Sequence, residues 1–334
     1  MVTIKDIAKE AGVSVTTVSN VIHKKKSRVS QELVERIDSI IKKYHYSPNL
    51  SARTLVSKSS RIICILIYGE HTDARFISED PFLGMLVRAI ELEISLRGYF
   101  AMIRTVCTEE ELLTLRDNWN LAGVVVYGLF EGDFLKLLSN ADIPCVLIDS
   151  YIKNDSFYRV GINDYEGALM AVKYLISMGH KNIAFVSPTI FDEGVVRERF
   201  KGYTDALKKA HIKVNEKNVF QVSTLEAGPS VGKKIAERKD ITAVFATADF
   251  LALGVISGLK EKGVSVPEDK SVVGFDDLFC SPIFNPPLTT IHQDVKQKGF
   301  MAVDNLIRLI EGKEVKINDE LPISLVERGS VKKL

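Results

Sequence analysis

The sequence predicts an α/β protein with a small all-α head. Three observations carry this. The first 48 residues show apolar positions at helical spacing, interrupted by Gly12 and Ser30. From residue 62 onward, short apolar runs alternate with amphipathic helical stretches, the pattern of parallel sheets covered on both faces. The 334 residues suit two domains of ordinary size and a small third.

The head is read as helix, turn, helix and a third helix. Thr3-Ile4-Lys5-Asp6 has the pattern of a capping box. Ile7, Ala8 and Ala11 then share one face, and Gly12, free to take a positive φ, ends the helix. Ser14 is a good N-cap for a second helix over about residues 15–23, with Val18, Val21 and Ile22 apolar. Its other face offers Thr16, Thr17, Ser19 and Asn20, small hydroxyl and amide groups suited to phosphates and base edges. Ser30 is expected to cap a third helix whose Leu33, Ile37, Ile40, Ile41 and Tyr44 recur at helical spacing. Lys24, Lys25, Lys26 and Arg28 fall in the loop before it.

Charge supports a polyanion-binding head. Residues 1–60 hold eleven basic and five acidic side chains, whereas the remainder holds 33 and 38, so a net charge of +1 conceals a head at +6. A small helical bundle with a solvated basic face is the plainer alternative at this point. Pro48 closes the third helix region, because its ring disfavours helix in the residue before it. Residues 49–55 are too few for a stable isolated helix, and 56–60 form a polar connector.

In the body, strands are expected at about residues 62–68, 100–105, 124–127, 145–148, 159–162, 182–187, 243–246, 272–275 and 289–291. Helices are expected at about 81–97, 165–178, 195–209, 249–262 and 294–311. Ligands of such sheets bind beyond the carboxyl ends of the strands. The loops at 68–80, 127–130, 149–150, 187–199, 248–249 and 276–277 therefore gather around one cleft. Asp149 and Asp249 join it as strand-end carboxylates.

The run TIKDIAKEAGVSVTTVSNVI, then RVS, YSPN, GALMAVKYLISMGHKNIAFV, SVVGFDDLF and PPLTTIHQD resembles the lactose/galactose/purine repressor family over nearly the whole chain. The resemblance implies a helix-turn-helix head (1–48), a hinge helix and linker (49–60) and a periplasmic-binding-protein-like body (61–328). That body has two doubly wound parallel-sheet subdomains, about 61–160 plus 292–328 and about 161–291, joined by three crossovers. It also implies operator binding as a homodimer, with Val15, Thr16 and Asn20 at specificity positions. Thr3, Ser14, Thr17, Ser19, Arg28, Asn49 and Ala52 would make further DNA contacts, and Leu55 would wedge into the minor groove. Asn20 stands where Arg or His is more usual, which favours adenine over guanine. In the body, Arg199 and Asp276 match effector ligands, and Asp80-Pro81-Phe82 matches a first-loop motif; a structural ion pair, a loop cap and a core ring are their plainer alternatives.

The implied function is a ligand-responsive repressor, released by a sugar-type inducer. A corepressor-dependent, purine-type repressor and a solute-binding receptor are the alternatives. No phosphate loop, dinucleotide fingerprint, nucleophile elbow or metal-ligand spacing occurs, so neither enzyme chemistry nor a metal or cofactor is expected. The N-terminus lacks an apolar leader core and the four cysteines form no CxxC, so a cytoplasmic protein with free thiols is expected.

Overall fold

The computed structural model describes residues 2–22, 29–46, 60–68, 80–106, 108–128, 138, 143–152, 156–222 and 227–334. The chain forms two units, Met1–Ser60 and Arg61–Leu334.

The first unit holds α1 (Ile4–Ala11), α2 (Val15–Ile22) and α3 (Gln31–Lys43). The Asp6 N–H donates to Thr3 Oγ1, and the Thr3 N–H donates to Asp6 Oδ2 at 2.9 Å, completing the capping box. Gly12 ends α1 at φ 66°, where a Cβ would be strained. The Thr17 N–H donates to Ser14 Oγ at 3.1 Å, which starts α2. Ile7, Val18 and Ile37 meet in a small dry core with Val21, Val34 and Ile40. Two expectations need correction here. Ser30 occupies the N-cap of α3 without a side-chain cap bond, and Tyr44 lies past the helix end and is exposed.

The second unit begins with β1 (Ile62–Tyr68), α4 (Pro81–Leu96), β2 (Phe100–Val106), α5 (Glu109–Asn118), β3 (Gly123–Tyr127), β4 (Cys145–Ile148) and β5 (Tyr158–Ile162). It continues with α6 (Asp164–Ser177), β6 (Ile183–Pro188), α7 (Val195–Lys209), β7 (Val219–Val222), α8 (Gly228–Ala236), β8 (Ala243–Ala246), α9 (Asp249–Glu261), β9 (Ser271–Asp276) and β10 (Thr289–Gln293). It ends with α10 (Val295–Ile310), β11 (Asn318–Leu321) and β12 (Ile323–Val326).

Two six-stranded sheets result, in the orders β11-β5-β4-β3-β1-β2 and β12-β10-β9-β8-β6-β7. The first is parallel throughout; in the second only the edge pair β10–β12 is antiparallel. Strand β1 shows why its apolar run is continuous. Ile63, Ile65 and Ile67 pack with Leu83 and Leu86 of α4 and Leu306 of α10, while Cys64 and Leu66 face Leu112 and Leu115 of α5. In the second sheet Phe185 and Phe245 meet edge-on, their centroids 5.8 Å apart, and Phe185 also packs on Tyr203 of α7. Gly202 lets α7 approach α6 closely; a Cβ there would overlap the Tyr165 carbonyl.

The chain crosses between the sheets at 162–164, 293–295 and 321–323. The closing segment therefore divides, which corrects the expected boundary. Residues 295–321 serve the first sheet, but β12 and the last residues return to the second. Pro322, which has no N–H to donate, separates the two strands. Ser330 Oγ then donates to the Val272 carbonyl at 2.6 Å, and the Leu334 N–H donates to the Met178 carbonyl at 2.9 Å. Strand β7, helix α8 and the closing pair β11 and β12 were not anticipated from the sequence. Among the described residues no helix is long and apolar enough to cross a membrane, and no group of three or more His, Cys, Asp or Glu could hold a metal ion. Cys64, Cys145 and Cys280 are free thiols; burial pushes Cys64 and Cys145 up to about 12.

Candidate functional site

Two sites emerge, one in each unit. In the head, helix periodicity puts Val15, Thr16, Ser19 and Asn20 on the side of α2 away from Val18 and Val21. Val15 is 39% exposed, which is high for a valine and leaves its methyls free for a thymine methyl. Thr16 is also exposed, and Ser19 and Asn20 are half-buried. Ser14 and Thr17 share a 2.9 Å hydroxyl bond, and the Thr3 hydroxyl donates to Asp6 Oδ2 at 2.7 Å. These three side chains act in helix capping. Val15, Thr16 and Asn20 remain to read a surface. Arg28, Asn49, Ala52 and Leu55 lie outside the described residues, as does Ser223 in the body.

The second site lies where the carboxyl ends of both sheets meet. Three carboxylates there sit on left-handed backbone: Asp149 at φ 52°, Asp276 at φ 112° and Asp277 at φ 57°. Non-glycine residues pay for that conformation, and it turns each chain sharply off its strand end. A buried polar ladder links the side chains. Tyr151 Oη donates to Asp164 Oδ2 at 2.6 Å, and Arg199 Nε donates to Asp164 Oδ1 at 2.7 Å. The Arg199 guanidinium also donates to the Thr247 carbonyl, stands 3.8 Å from Asp276 Oδ1 and lies 3.6 Å from the Phe275 ring centroid. Gln293 Nε2 donates to Asp276 Oδ1 at 2.7 Å. Lys298 Nζ donates to Gln293 Oε1 at 2.6 Å and to both Asp149 oxygens at 2.6 and 2.9 Å.

The electrostatics follow from burial. Lys298 is fully buried, and Asp149, Asp164, Arg199 and Asp276 are each at most 7% exposed. Burial raises Asp149 above the carboxylate range, against the pull of Lys298. Burial pushes Asp276 well above it, with Arg199 opposing and Asp249 and Asp80 adding to the rise. Burial works against the Arg199 charge, but Asp164 and Asp276 hold its pKa above the usual value.

The expected site residues divide. Arg199, Asp276 and Asp149 come together as described. Asp80 accepts from the Phe82 and Leu83 N–H groups at 2.9 and 3.3 Å, capping α4 at the rim. Phe82 is 8% exposed and packs in the main core, with Lys298 Nζ 5.4 Å from its ring centroid. Asp249 requires correction. It is fully buried inside the second sheet's edge, accepting from the Leu278 N–H at 2.8 Å, Ser281 Oγ at 2.6 Å and Thr290 Oγ1 at 2.5 Å. Its oxygens tie the loop after β9 to β10, and a Cβ at Gly274 would overlap one of them. Asp249 therefore holds the cleft wall rather than a ligand.

That role has a pH signature. Burial pushes Asp249 up to about 6 from an ordinary 3.8. A raised acid favours the fold when protonated, so its contribution improves as pH falls from about 6 towards 4. Asp249→Asn keeps the shape without the charge. We expect it to stabilise the body by up to about 3 kcal/mol at pH 7.5 and to flatten that pH dependence. Asp249→Ala should cost about 1–3 kcal/mol for each donor left unpaired. Denaturant unfolding followed by Trp119, the sole tryptophan, measures both.

Sequence reasoning missed Tyr151, Asp164, Thr247, Gln293 and Lys298. Lys298 carried a signal, since it shares a helical face with Val295, Gly299, Ala302 and Leu306. A charge on the apolar face of a helix must find buried partners. Thr247 gave no signal; it is 2% exposed and its Oγ1 has no hydrogen-bond partner.

Comparison with known proteins gives these sites a setting. The family described as "Bacterial regulatory proteins, lacI family" matches residues 3–49, and a periplasmic binding protein-like domain matches 172–331. The HTH-type transcriptional repressor PurR of Histophilus somni is 34% identical, covering 100% of both chains. PurR of Haemophilus influenzae is 32% identical over the same share. Among solved structures, the lac repressor dimer bound to operator and the anti-inducer ONPF superposes with a TM-score of 0.85 at 27% identity, covering 99% of each chain. The transcriptional regulator CelR in complex with cellobiose gives 0.72 at 26% identity, covering 99% of this chain and 100% of the other. With a capped three-helix head that leaves one face of α2 free, and a two-sheet body with a polar cleft, the chain belongs to the lacI family of bacterial regulatory proteins.

Proposed function

We propose that the protein represses transcription as a homodimer on a palindromic operator and is released by a small, hydroxyl-rich inducer bound in the cleft. The observation that carries this is the Asp164–Arg199–Asp276 arrangement beside the unpartnered Thr247 hydroxyl. A planar donor fork between carboxylates, with a spare hydroxyl, matches molecules that present donors and acceptors in a ring. Val15, Thr16 and Asn20 then read the operator, Asn20 pairing with adenine, and Thr3, Ser14, Thr17 and Ser19 help fix the helix on phosphates. Arg28, Asn49, Ala52 and Leu55 extend the contact, Leu55 as a minor-groove wedge. The corepressor reading differs only in sign and is favoured by the purine repressors among the relatives.

Coupling in this scheme runs through the crossovers. Tyr151 and Asp164 flank the first, and Gln293 and Lys298 flank the second, so a ligand that draws on Asp276 or Arg199 also reorganises them. Operator and inducer must weaken each other by the same factor.

An exposed apolar surface supports the dimer. Leu92 and Leu96 of α4, Phe100 and Ile103 of the edge strand β2, and Phe300 of α10 are all more than 40% exposed. Five large apolar side chains on three neighbouring elements mark an interaction surface. Leu96→Glu is expected to give a monomer by analytical ultracentrifugation and to weaken operator binding by about 100-fold or more, since each half-site is then held alone.

The test of the function is a titration onto a palindromic site from the DNA upstream of its own coding sequence. It is run with and without galactosides, other sugars and purines. Loss of affinity with a sugar supports the inducer reading, and gain of affinity with a purine supports the corepressor. No specific binding under any condition overturns the repressor reading.

A further inference from the structure

The cleft is built to hold cations, and it has one place left for another. Among its described residues it contains two, Arg199 and Lys298. Each has a carboxylate partner, Asp164 and Asp149, and each lies near an aromatic ring, Phe275 and Phe82. Two further carboxylates have no cation of their own. Asp80 belongs to the first subdomain and receives only the backbone N–H groups of α4. Asp276 belongs to the second and receives the neutral amide of Gln293, with Arg199, already paired to Asp164, at 3.8 Å. The two feel each other electrostatically, as like charges from opposite walls. The second, independent sign of a missing ligand is the Thr247 hydroxyl, 2% exposed and without a partner, on the residue whose carbonyl receives Arg199. Buried polar atoms are rarely left unpaired.

Resting on the cleft reading above, we propose that the effector carries an ammonium group, held between Asp80 and Asp276, on a hydroxylated ring that also meets Thr247. An amino sugar has this chemistry. The ammonium relieves the repulsion between the walls and offers its donors to acceptors that lack them. It also draws the two subdomains together, because its two carboxylates stand on different ones. An anionic sugar would instead face both carboxylates without compensation.

The test uses full-length protein and four probes, D-galactosamine, D-galactose, D-galacturonate and hypoxanthine, with affinity read by calorimetry. The first three differ only in the charge they carry. Galactosamine is expected to bind at least about tenfold tighter than galactose, the gain of a charge-assisted bond over a neutral one, and galacturonate not measurably. Asp80→Asn and Asp276→Asn, each confirmed as folded by its thermal transition, should each erase the preference for the amine. Galactose binding as well as galactosamine would overturn the charge inference and leave the cleft reading standing. Hypoxanthine binding alone would do the same, in favour of a neutral planar ligand. If no probe binds, or if galactosamine binding survives Arg199→Met, the cleft reading and the inference both fall.

Discussion

Lys298→Met should destabilise the body by about 3–5 kcal/mol, the usual result of removing one partner of a buried ion pair. The lysine is fully buried, and its ammonium donates to Asp149 and Gln293. Methionine fills the space of the stem, so lost packing contributes little. What remains is a buried Asp149 without its cation. Asp149→Asn in the same chain removes that stranded charge, and the double variant should recover most of the loss. A double-mutant cycle by urea unfolding, read at Trp119, should give a coupling of about 2 kcal/mol or more. A single variant within about 1 kcal/mol of the parent would mean that the pair contributes nothing to the fold.

Arg199→Met should weaken inducer binding by about 100-fold or more and abolish release from the operator at inducer levels that free the parent. Arg199 makes several interactions at once, to Asp164, the Thr247 carbonyl, Asp276 and the Phe275 face. Arg199→Lys separates charge from shape. It restores a cation but offers a compact ammonium in place of the fork, so inducer binding should return only in part. Operator affinity without inducer should stay within a few-fold, because that binding surface belongs to the head. If the methionine variant is still released normally, the cleft is not where the inducer acts.

The head was legible in the sequence because its information is local. The Thr3/Asp6 box, Gly12 and Ser14 fix where helices start and stop, and the apolar spacing fixes which side is buried. The central strands were legible for another reason: a strand covered on both faces must be apolar throughout, and Ile62–Tyr68 is. The missed elements depend on pairing instead. Strand β11 reads Asn-Asp-Glu-Leu, which has no strand propensity; it becomes a strand because it lies against β5, with Asn318 opposite Arg159. Helix α8 opens with Gly228-Pro229 and carries glycine, which lowers its propensity. It forms against α9, where a Cβ at Gly232 or Gly258 would meet backbone.

The cleft was half legible. Strand-end aspartates look alike in a sequence. Asp276 and Asp249 are told apart only by what faces them: an amide and an arginine in one case, and Leu278, Ser281 and Thr290 in the other. The resemblance marks where ligands bind in related chains, so it pointed to Arg199 and Asp276. It gave no hint of Lys298, whose presence follows from the helix face on which it sits.

The pairing of β11 with β5 also has a consequence for how the protein is made. Arg159 and Asn318 are 159 positions apart, and the ribosome adds about 5–20 residues per second. The first sheet thus waits roughly 8–30 s, with one edge open, for the strand that completes it. Throughout that interval the head is already synthesised, with its caps and core complete in themselves. A nascent chain can hold a finished DNA-reading surface while its sensing body still exposes an unpaired strand, the most aggregation-prone stage of its synthesis.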